Sequence, residues 1–286
     1  MGMGGADSLR VAAVQMNSRN DKAQNIETAL RLIDRAAGEG ARLIALPEVW
    51  SFLGDDAGSR AAAESIPGPT IELLAERARR HDVYIHAGSI QEARPGDPRM
   101  FNTTALIDPR GSIIAKYSKI HMFDVVLDGV ASYQESATVS PGDEIVTADV
   151  DGFTVGLTIC YDIRFPELYR ILALRGAEII FQPAAFTLTT GKDHWETLIR
   201  ARAIENTVYM VSPAQVGSYA EGKWCWGRSM IVNPWGTVLT TAPDEETVII
   251  ANLDRETLNR VRRQVPSLSN RMPDRYVWPD VPAGVR

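Results

Sequence analysis

Three side chains of different chemistry each follow a predicted strand: a carboxylate, an ammonium group and a thiol. They belong to Glu48, Lys119 and Cys160, and each comes just after a short run rich in apolar and β-branched residues. In α/β sheets, ligands bind outside the carboxyl ends of the strands. We therefore expect the three side chains to occupy corresponding places at strand ends, where a small molecule could bind.

Together these groups could break a carbon–nitrogen bond without a histidine base. The Cys160 thiol would attack a carbonyl or nitrile carbon, and Glu48 would accept the thiol proton and pass it to the leaving ammonia. Lys119 would stabilise the oxyanion of the tetrahedral intermediate, helped by the backbone N–H of Tyr161. The set therefore predicts a nucleophile, a general base and a cationic stabiliser.

One feature of the context of Cys160 supports a reactive thiol. A cysteine after a strand is commonly a small buried hydrophobe, but Pro166 and Glu167 mark a helix start a few residues further on. The thiol is thus predicted on a strand-to-helix turn, where a helix N-terminus and a nearby lysine would stabilise the thiolate. Cys225 has no such context, and we interpret it as structural.

Composition and charge exclude several classes of protein. The chain has 286 residues, of which 45% are hydrophobic, and its net charge of −6 disfavours nucleic-acid binding. It has no apolar run long enough to predict a membrane span, and no apolar leader that would predict a signal peptide. The two cysteines form no CxxC pair, which suits a reducing compartment, so we expect a cytoplasmic protein.

Motifs of several other enzyme classes are absent from the sequence. It contains no GxSxG, GxGxxG or HExxH run and no complete phosphate-binding loop. The histidines and cysteines show no spacing that would suit a metal ion. We therefore expect neither a metal site nor a cofactor.

The predicted elements alternate in a way that would position the three side chains. Each half of the chain reads as strand, helix, strand, helix, strand and then a hairpin, which predicts mixed sheets covered by helices. The predicted strands are residues 10–15, 41–46, 82–90, 102–107, 112–116, 153–159, 177–181, 207–212, 229–232, 237–241 and 247–253. The predicted helices are residues 20–40, 69–80, 166–175 and 192–205.

The rest of the chain consists of a linker and two ends. Residues 122–149 show little periodicity, and so long a linker inside a compact protein is usually functional. We expect a flexible start at residues 1–8 and one domain at residues 9–266. The proline-rich residues 267–286 are expected to form an extended arm that wraps a neighbour or the chain's own core.

The sequence resembles the nitrilase superfamily of carbon–nitrogen hydrolases over essentially its whole length. The combination of motifs is far more specific than any one of them. The motifs are LPE at 46–48, KYSKIH at 116–121, CYDIRFPE at 160–167, QPAAFTLTTGKDHWE at 182–196 and NPWGT at 233–237.

The resemblance implies an α/β fold, a four-layer αββα sandwich of two mixed sheets with outer helices. It also implies a Glu-Lys-Cys triad, here Glu48, Lys119 and Cys160, and a second glutamate that orients substrate and assists proton transfer. Glu135, in the run YQES at 133–136, matches that glutamate. Members are usually dimeric or larger, with C-terminal arms that cross the dimer interface, so a homodimer or higher homo-oligomer is expected.

Two branches of the superfamily share features with this sequence. HMFD at 121–124 and AFTLTTG at 185–191 are similar to omega-amidases, which release ammonia from amides of α-keto dicarboxylic acids. RFPEL at 164–168 and RARAIE at 200–205 are also similar to the branch that hydrolyses deaminated glutathione. The run PAA at 183–185 departs from the omega-amidase pattern, which has a glycine there, so both substrates stay open.

Three further residues are candidates for substrate binding. An acidic substrate needs a cation besides Lys119, and Arg164 follows the nucleophile by four residues. A salt bridge at the helix start is the alternative role for this arginine. Phe186 and Trp195 would line the pocket or belong to the core, and the helical spacing of Trp195 favours the core.

The leading interpretation is a thiol-dependent amidase. It would hydrolyse the C–N bond of a small linear, carboxylated, omega-amide-like substrate to an acid and ammonia through a cysteine thioester. Within the superfamily, the alternatives are a nitrilase acting on an aliphatic nitrile, a deaminated-glutathione amidase and an N-carbamoyl hydrolase. From other classes, a catalytically silent scaffold and a redox-sensing thiol protein remain open. The expected partner is a small amide or nitrile, with no nucleic acid and no membrane.

Overall fold

Strands and helices alternate along most of the chain, in a computed structural model that describes residues 7–127 and 131–279. The strands are β1 (Ser8–Gln15), β2 (Leu43–Ala45), β3 (Tyr84–His86), β4 (Ile90–Ala93), β5 (Met100–Ile107), β6 (Ile113–Ser118), β7 (Asp124–Leu127), β8 (Ala131–Gln134), β9 (Thr147–Val150), β10 (Phe153–Leu157), β11 (Ile179–Phe181), β12 (Tyr209–Ser212), β13 (Val216–Ala220), β14 (Lys223–Trp226), β15 (Met230–Val232), β16 (Val238–Thr241) and β17 (Thr247–Asp254). The helices are α1 (Lys22–Gly38), α2 (Asp56–Ala62), α3 (Pro69–His81), α4 (Pro166–Leu174), α5 (Leu188–Asn206) and α6 (Arg255–Gln264).

Two mixed sheets form the body of the fold. The first has the strand order β17-β1-β2-β3-β5-β4, with β6 paired to β5, and the second has the order β16-β15-β12-β11-β10-β9. In each sheet three consecutive strands run parallel, β1–β2–β3 in the first and β10–β11–β12 in the second. Antiparallel strands complete both sheets, and two small hairpins, β7–β8 and β13–β14, stand apart. Parallel strands joined through helices are what the predicted alternation implies.

The alternation of side chains along the strands explains the layers. In β1, Val11 and Ala13 pack in the same apolar cluster as Phe153 of the second sheet. Ala12 and Val14 pack instead in a cluster formed with helices α1 and α3. Because successive strand residues point to opposite faces, the first sheet lies between a helix layer and the second sheet.

Helices α4 and α5 cover the second sheet. Leu168 and Leu172 of α4 and Ile199 of α5 belong to the cluster that holds β10 and β11. Helix α4 begins at Pro166, and the missing N–H of proline costs no hydrogen bond at the first position of a helix. The Thr187 side chain caps the start of α5. The expected four-layer αββα sandwich of two mixed sheets is therefore confirmed.

The segment at residues 122–149 contains more structure than its poor periodicity indicated. It forms the hairpin β7–β8, the 3₁₀ turn Glu135–Ala137 and the edge strand β9. Each of these elements spans only three or four residues, which is too short to show a period in the sequence.

The strand predicted at residues 82–90 is in fact two strands, β3 and β4, separated by a turn at Gly88. This glycine has φ +61, and a Cβ there would lie 2.0 Å from the carbonyl oxygen of Pro47. The N–H of Ser89 donates to the same oxygen (3.1 Å), and the Ser89 hydroxyl accepts from the N–H of Val49 (3.0 Å). The turn thus supports the chain from Pro47 to Val49, and only glycine fits so close an approach.

Helices α2 and α6 and the hairpin β13–β14 have no counterpart among the predicted elements. Helix α2 has seven residues and buries only Ala62, while α6 is strongly polar and buries only Leu258 and Val261. Too few apolar residues mark these helices for periodicity to reveal them. Among the described residues, no helix is long and apolar enough to cross a membrane.

The two predicted ends of the chain are only partly covered by the structure. Ser8 already belongs to β1, so the predicted flexible start does not extend to residue 8. Residues 1–6 and 280–286 lie outside the described residues. The described part of the predicted arm, residues 267–279, is mostly exposed and contains the 3₁₀ turn Pro273–Arg275.

Gly88→Ala should destabilise the protein. The alanine would have to adopt a left-handed φ while its Cβ meets the Pro47 carbonyl, so the free energy of unfolding should fall by at least about 1–2 kcal/mol. Urea denaturation measures the change. Gly38→Ala at the end of α1 is the control, because nothing lies within 4 Å of the added Cβ, and its stability should stay equal or rise. Unchanged stability of Gly88→Ala would contradict the role assigned to this turn.

Candidate active site

Cys160 lies on a strained turn between β10 and α4. It begins the 3₁₀ helix Cys160–Arg164 with φ +47, a conformation that residues other than glycine seldom adopt. Its N–H donates to the carbonyl of Pro183 (2.8 Å), and its carbonyl accepts from Gln182 Nε2 (2.7 Å). Both bonds run to the chain just after β11, so neighbouring structure holds the strained backbone in place.

Glu48 follows β2 of the facing sheet and is buried, with 4% of the residue exposed. Oε1 accepts hydrogen bonds from Asn102 Nδ2 (2.9 Å) and Lys119 Nζ (3.2 Å), and Oε2 accepts from the N–H of Ala185 (2.7 Å). The charge of this carboxylate also acts on the Cys160 thiol, whose pKa it raises. Glu48 is therefore held between the thiol and the lysine, where a general base is needed.

Lys119 follows β6, and only 2% of its side chain is exposed. Nζ lies 3.2 Å from Glu48 Oε1 and 3.0 and 2.7 Å from the two carboxylate oxygens of Glu135. Burial alone would lower the pKa of Lys119, but the charges of Glu135 and Glu48 raise it well above its ordinary value. The ammonium group therefore stays charged in the interior.

Glu135 reaches the site from the hairpin β7–β8. It begins the 3₁₀ turn after β8, and its Oε2 also accepts from the N–H of Phe123 at 2.6 Å. Its side chain is 19% exposed, so it lies closer to solvent than Lys119. The second glutamate implied by the resemblance thus contacts the lysine from a segment with no periodic signal.

The Cys160 thiol is protonated in the resting site. Burial raises the pKa of Cys160 and the Glu48 carboxylate raises it further, whereas Lys119 lowers it, and the resulting pKa lies well above the usual range. The sequence favoured a stabilised thiolate, and that expectation is wrong for the resting site. Desolvation and a neighbouring carboxylate outweigh the ammonium group, so the thiol keeps its proton.

A cavity of about 400 Å³ opens onto Glu48, Lys119, Glu135 and Cys160. Its volume falls within the usual range for small-molecule sites. Tyr161 also lines this cavity. As the second residue of a 3₁₀ helix it has no helical acceptor for its N–H, which suits the predicted role of oxyanion donor.

Two of the three candidate substrate-binding residues, Arg164 and Phe186, line the cavity. Trp195 is only 1% exposed and does not line it. Its ring centroid lies 5.0 Å from that of Phe186, and its Nε1 donates to the carbonyl of Arg228 (2.7 Å). Trp195 therefore belongs to the core behind the cavity wall, the alternative that its helical spacing favoured.

Arg164 has neutral neighbours. Its guanidinium lies over the rings of Tyr161 and Phe186, at 5.7 and 5.5 Å from their centroids, and hydrogen-bonds to His194 Nδ1 (3.2 Å). None of the ion pairs within residues 7–127 and 131–279 involves Arg164. A cation of this kind on a cavity wall is suited to bind an anionic group.

Several residues of the site were not predicted. Asn102 holds Glu48 from β5 and is 4% exposed, and a buried amide inside a strand is a signal that could have found it. Other unpredicted lining residues lie on α2 and the two small hairpins, where the sequence shows no period. They include Asp56, Tyr133, Tyr219 and Lys223.

Cys225 is buried away from solvent, and both cysteines are free. Burial raises the pKa of the Cys225 thiol, so this thiol is protonated. Within the part of the chain that the structure describes, no group of three or more His, Cys, Asp or Glu side chains could hold a metal ion.

Known proteins resemble this chain over nearly its whole length. The family model for carbon-nitrogen hydrolase matches residues 10–263. The deaminated glutathione amidase of Synechocystis sp. is 43% identical over 265 residues, which cover 91% of this chain and 97% of that protein. The omega-amidase NIT2 of Mus musculus is 39% identical over 269 residues, covering 94% and 97%. The crystal structure of Saccharomyces cerevisiae Nit3, a member of branch 10 of the nitrilase superfamily, is 30% identical, covers 95% of this chain and 98% of that chain, and has a TM-score of 0.85.

This chain belongs to the carbon–nitrogen hydrolase family, as its motifs indicated. It is an enzyme, a carbon–nitrogen hydrolase of the amidase kind, with a nitrilase-superfamily fold. Membership of this family favours an enzyme over the alternatives of a catalytically silent scaffold and a redox-sensing thiol protein.

Glu48→Gln should abolish turnover and yet speed the alkylation of Cys160. The substitution removes the acceptor of the thiol proton, and it also removes a negative charge that raises the pKa of that thiol. Because Lys119 remains, more thiolate should form at neutral pH, and iodoacetamide should label Cys160 faster than in the wild type. Mass spectrometry of the labelled peptide gives the rate. Glu76→Gln, on the exposed side of α3, is the control, and slower labelling in Glu48→Gln would contradict the argument.

Proposed function

We propose that this protein is a Glu-Lys-Cys amidase that hydrolyses a small linear amide to an acid and ammonia through a thioester on Cys160. The observation that carries the proposal is that Cys160, Glu48, Lys119 and Glu135 line one cavity, where Lys119 Nζ contacts both carboxylates. A nucleophile, a proton acceptor and a fixed cation within contact of one another are what acyl transfer requires.

The first half-reaction forms the thioester. Glu48 takes the thiol proton as Sγ of Cys160 attacks the amide carbon, which becomes tetrahedral. The ammonium group of Lys119 and the N–H of Tyr161 stabilise the oxyanion. Glu48 then gives its proton to the amide nitrogen, the C–N bond breaks, and ammonia leaves.

The second half-reaction hydrolyses the thioester. Glu48 accepts a proton from water as the water oxygen attacks the thioester carbon, and the C–S bond then breaks. The carboxylic acid leaves, and the proton on Glu48 returns to Sγ of Cys160. Glu135 holds Lys119 Nζ throughout with both carboxylate oxygens, and its partly exposed side chain lies where it can orient the substrate amide.

The proposed substrate carries a carboxylate in addition to its amide. Arg164 on the cavity wall is hydrogen-bonded to His194 Nδ1 and has no carboxylate partner among the described residues. The relatives named omega-amidase and deaminated glutathione amidase support an amide of this kind. An omega-amide-like compound is our first assignment and deaminated glutathione the second.

We also propose a homodimer or a larger homo-oligomer. Apolar side chains are exposed on or beside α4 and α5, and such groups mark interaction surfaces. They are Ile171, Leu174, Ile204, Trp235 and Leu239. The predicted arm at residues 267–286 would cross the interface, and light scattering after size-exclusion chromatography measures the mass of the assembly.

Two further proposals concern the domain and its location. We propose that residues 9–266 form one domain, which the family match to residues 10–263 supports. We also propose a cytoplasmic location, which the two free cysteines support because they suit a reducing compartment.

Product release by the purified enzyme, with Cys160→Ala beside it, tests the proposed reaction. Ammonia is followed with α-ketoglutaramate, succinamate, a simple aliphatic amide, an N-carbamoyl amino acid and an aliphatic nitrile, and released amine is followed with deaminated glutathione. We expect turnover of a carboxylated amide that Cys160→Ala abolishes and Cys225→Ala preserves. Turnover that survives Cys160→Ala would exclude the thioester route, and turnover of the nitrile alone would support the nitrilase alternative.

Arg164→Gln should weaken hydrolysis of a carboxylated amide and leave a neutral amide unaffected. Loss of a hydrogen bond to a charged group should lower kcat/KM about 10- to 100-fold for the carboxylated substrate. Steady-state kinetics with succinamate and an uncharged amide of similar length measure the difference. Lys223→Gln is the comparison, since Lys223 also lines the cavity. Equal losses with both substrates would make Arg164 a structural residue.

A further inference from the structure

Asp162 is a buried carboxylate that the proposed mechanism does not use. It lies two residues after Cys160, is 0% exposed, and does not line the cavity. A carboxylate removed from water in this way is stable only when hydrogen bonds or opposite charges satisfy it. Its burial close to Cys160 therefore requires hydrogen-bond donors.

Donors from two directions converge on this carboxylate. Oδ2 accepts from the Tyr117 hydroxyl (2.7 Å) and from the N–H of Ile159 (2.8 Å). Oδ1 accepts from the N–H of His121 (3.1 Å) and lies 2.7 Å from Nδ1 of the same residue. Asp162 thus has two donors on each oxygen, which nearly exhausts its capacity as an acceptor.

These contacts join the segment of Lys119 to the segment of Cys160. Tyr117 and His121 lie two residues before and two residues after Lys119, while Asp162 belongs to the 3₁₀ helix that Cys160 begins. The two segments follow β6 and β10, which belong to different sheets. No strand pairing therefore fixes the distance between the lysine and the cysteine.

His121 is tied to the same short helix by a second contact. Its ring stacks on that of Phe165 with 3.6 Å between centroids and 6° between planes. Phe165 directly follows the 3₁₀ helix Cys160–Arg164 and caps its end. The stack and the bonds to Asp162 both hold the chain after Lys119 against the helix of the nucleophile.

We propose that Asp162 is a positioning residue that sets the place of Lys119 Nζ relative to Cys160 Sγ. The inference rests on the proposed function, in which the ammonium group stabilises the oxyanion that forms when the thiol attacks. Asp162 acts from outside the cavity through the backbone segments it joins. A misplacement of about 1 Å in such groups lowers a rate about 100-fold.

Asp162→Asn in the full-length enzyme tests the inference. An amide offers one acceptor oxygen and a donor in place of two acceptor oxygens, so at least one of the converging donors loses its partner. For the best amide substrate, kcat should fall about 10- to 100-fold, with KM little changed, because the lost interaction acts on the transition state. Tyr117→Phe removes one donor and keeps the carboxylate, and it should lower kcat in the same direction by less.

Asp108→Asn is the matched control. Asp108 is also buried and accepts hydrogen bonds from the backbone N–H groups of Arg110 and Ser112, at the far end of β6 from Lys119. Its loss should lower Tm and leave kcat unchanged. A role of Asp162 in stability alone predicts the same result for Asp162→Asn.

The outcomes separate the inference from the proposed function. A fall in kcat for Asp162→Asn and Tyr117→Phe that exceeds that of Asp108→Asn at a similar loss of Tm supports the positioning role. Wild-type kcat in both variants, or a loss confined to KM, overturns it. If Asp162→Asn does not fold, Tyr117→Phe and His121→Ala decide the question. Turnover that survives Cys160→Ala would overturn the proposed function itself, whereas an inactive Cys160→Ala beside an unimpaired Asp162→Asn overturns only the inference.

Discussion

A buried ammonium group between two carboxylates is the interaction on which the rest of the site depends. Lys119 Nζ contacts Glu48 and Glu135, and the three residues come from the ends of β2 and β6 and from the hairpin β7–β8. The charges of Lys119 and Glu48 are almost fully buried, and neither would be stable there alone. The arrangement is therefore stable only when all three segments are in position, which gives the hairpin a defined place over the sheet.

In the proposed mechanism, the same three charges explain how a thiol with a raised pKa could act as a nucleophile. With the thiol protonated, the group carries one positive and two negative charges. When the proton passes from Cys160 to Glu48, a negative charge moves from the carboxylate to the sulfur, and the total stays the same. The nearby Lys119 interacts with both forms, so the transfer relocates charge within a preorganised field. Stabilisation of the later oxyanion uses the same cation.

The sequence allowed parts of this site to be predicted for reasons that differ from residue to residue. Glu48, Lys119 and Cys160 could be singled out because each follows a strand, and the motifs around them are specific. Glu135 could be identified only by resemblance, since its hairpin is too short to show a period. Asn102 escaped prediction because its role depends on which strand faces Glu48, and that is a tertiary contact.

The remaining differences between prediction and structure have separate physical causes. The thiolate expected at Cys160 assumed a lysine and a helix end, but the sequence contains no measure of desolvation, and desolvation dominates the pKa. The fold class could be predicted because the alternation of strands and helices covers most of the chain. The break between β3 and β4 at Gly88 could not be predicted, because it depends on the close approach of one backbone segment to another. Helix α6 was not predicted because it buries few residues, and these give almost no apolar periodicity.

The division of the site between two sheets has a consequence for how activity is acquired during folding. Glu48 and Lys119 follow strands of the first sheet, and Cys160 follows a strand of the second. Under the proposed mechanism, neither sheet carries a complete catalytic centre. The inner faces of the two sheets, represented by Val11 and Phe153, pack in one apolar cluster. Activity would therefore require this packing, and a chain with a native circular dichroism spectrum but incompletely packed sheets would be inactive.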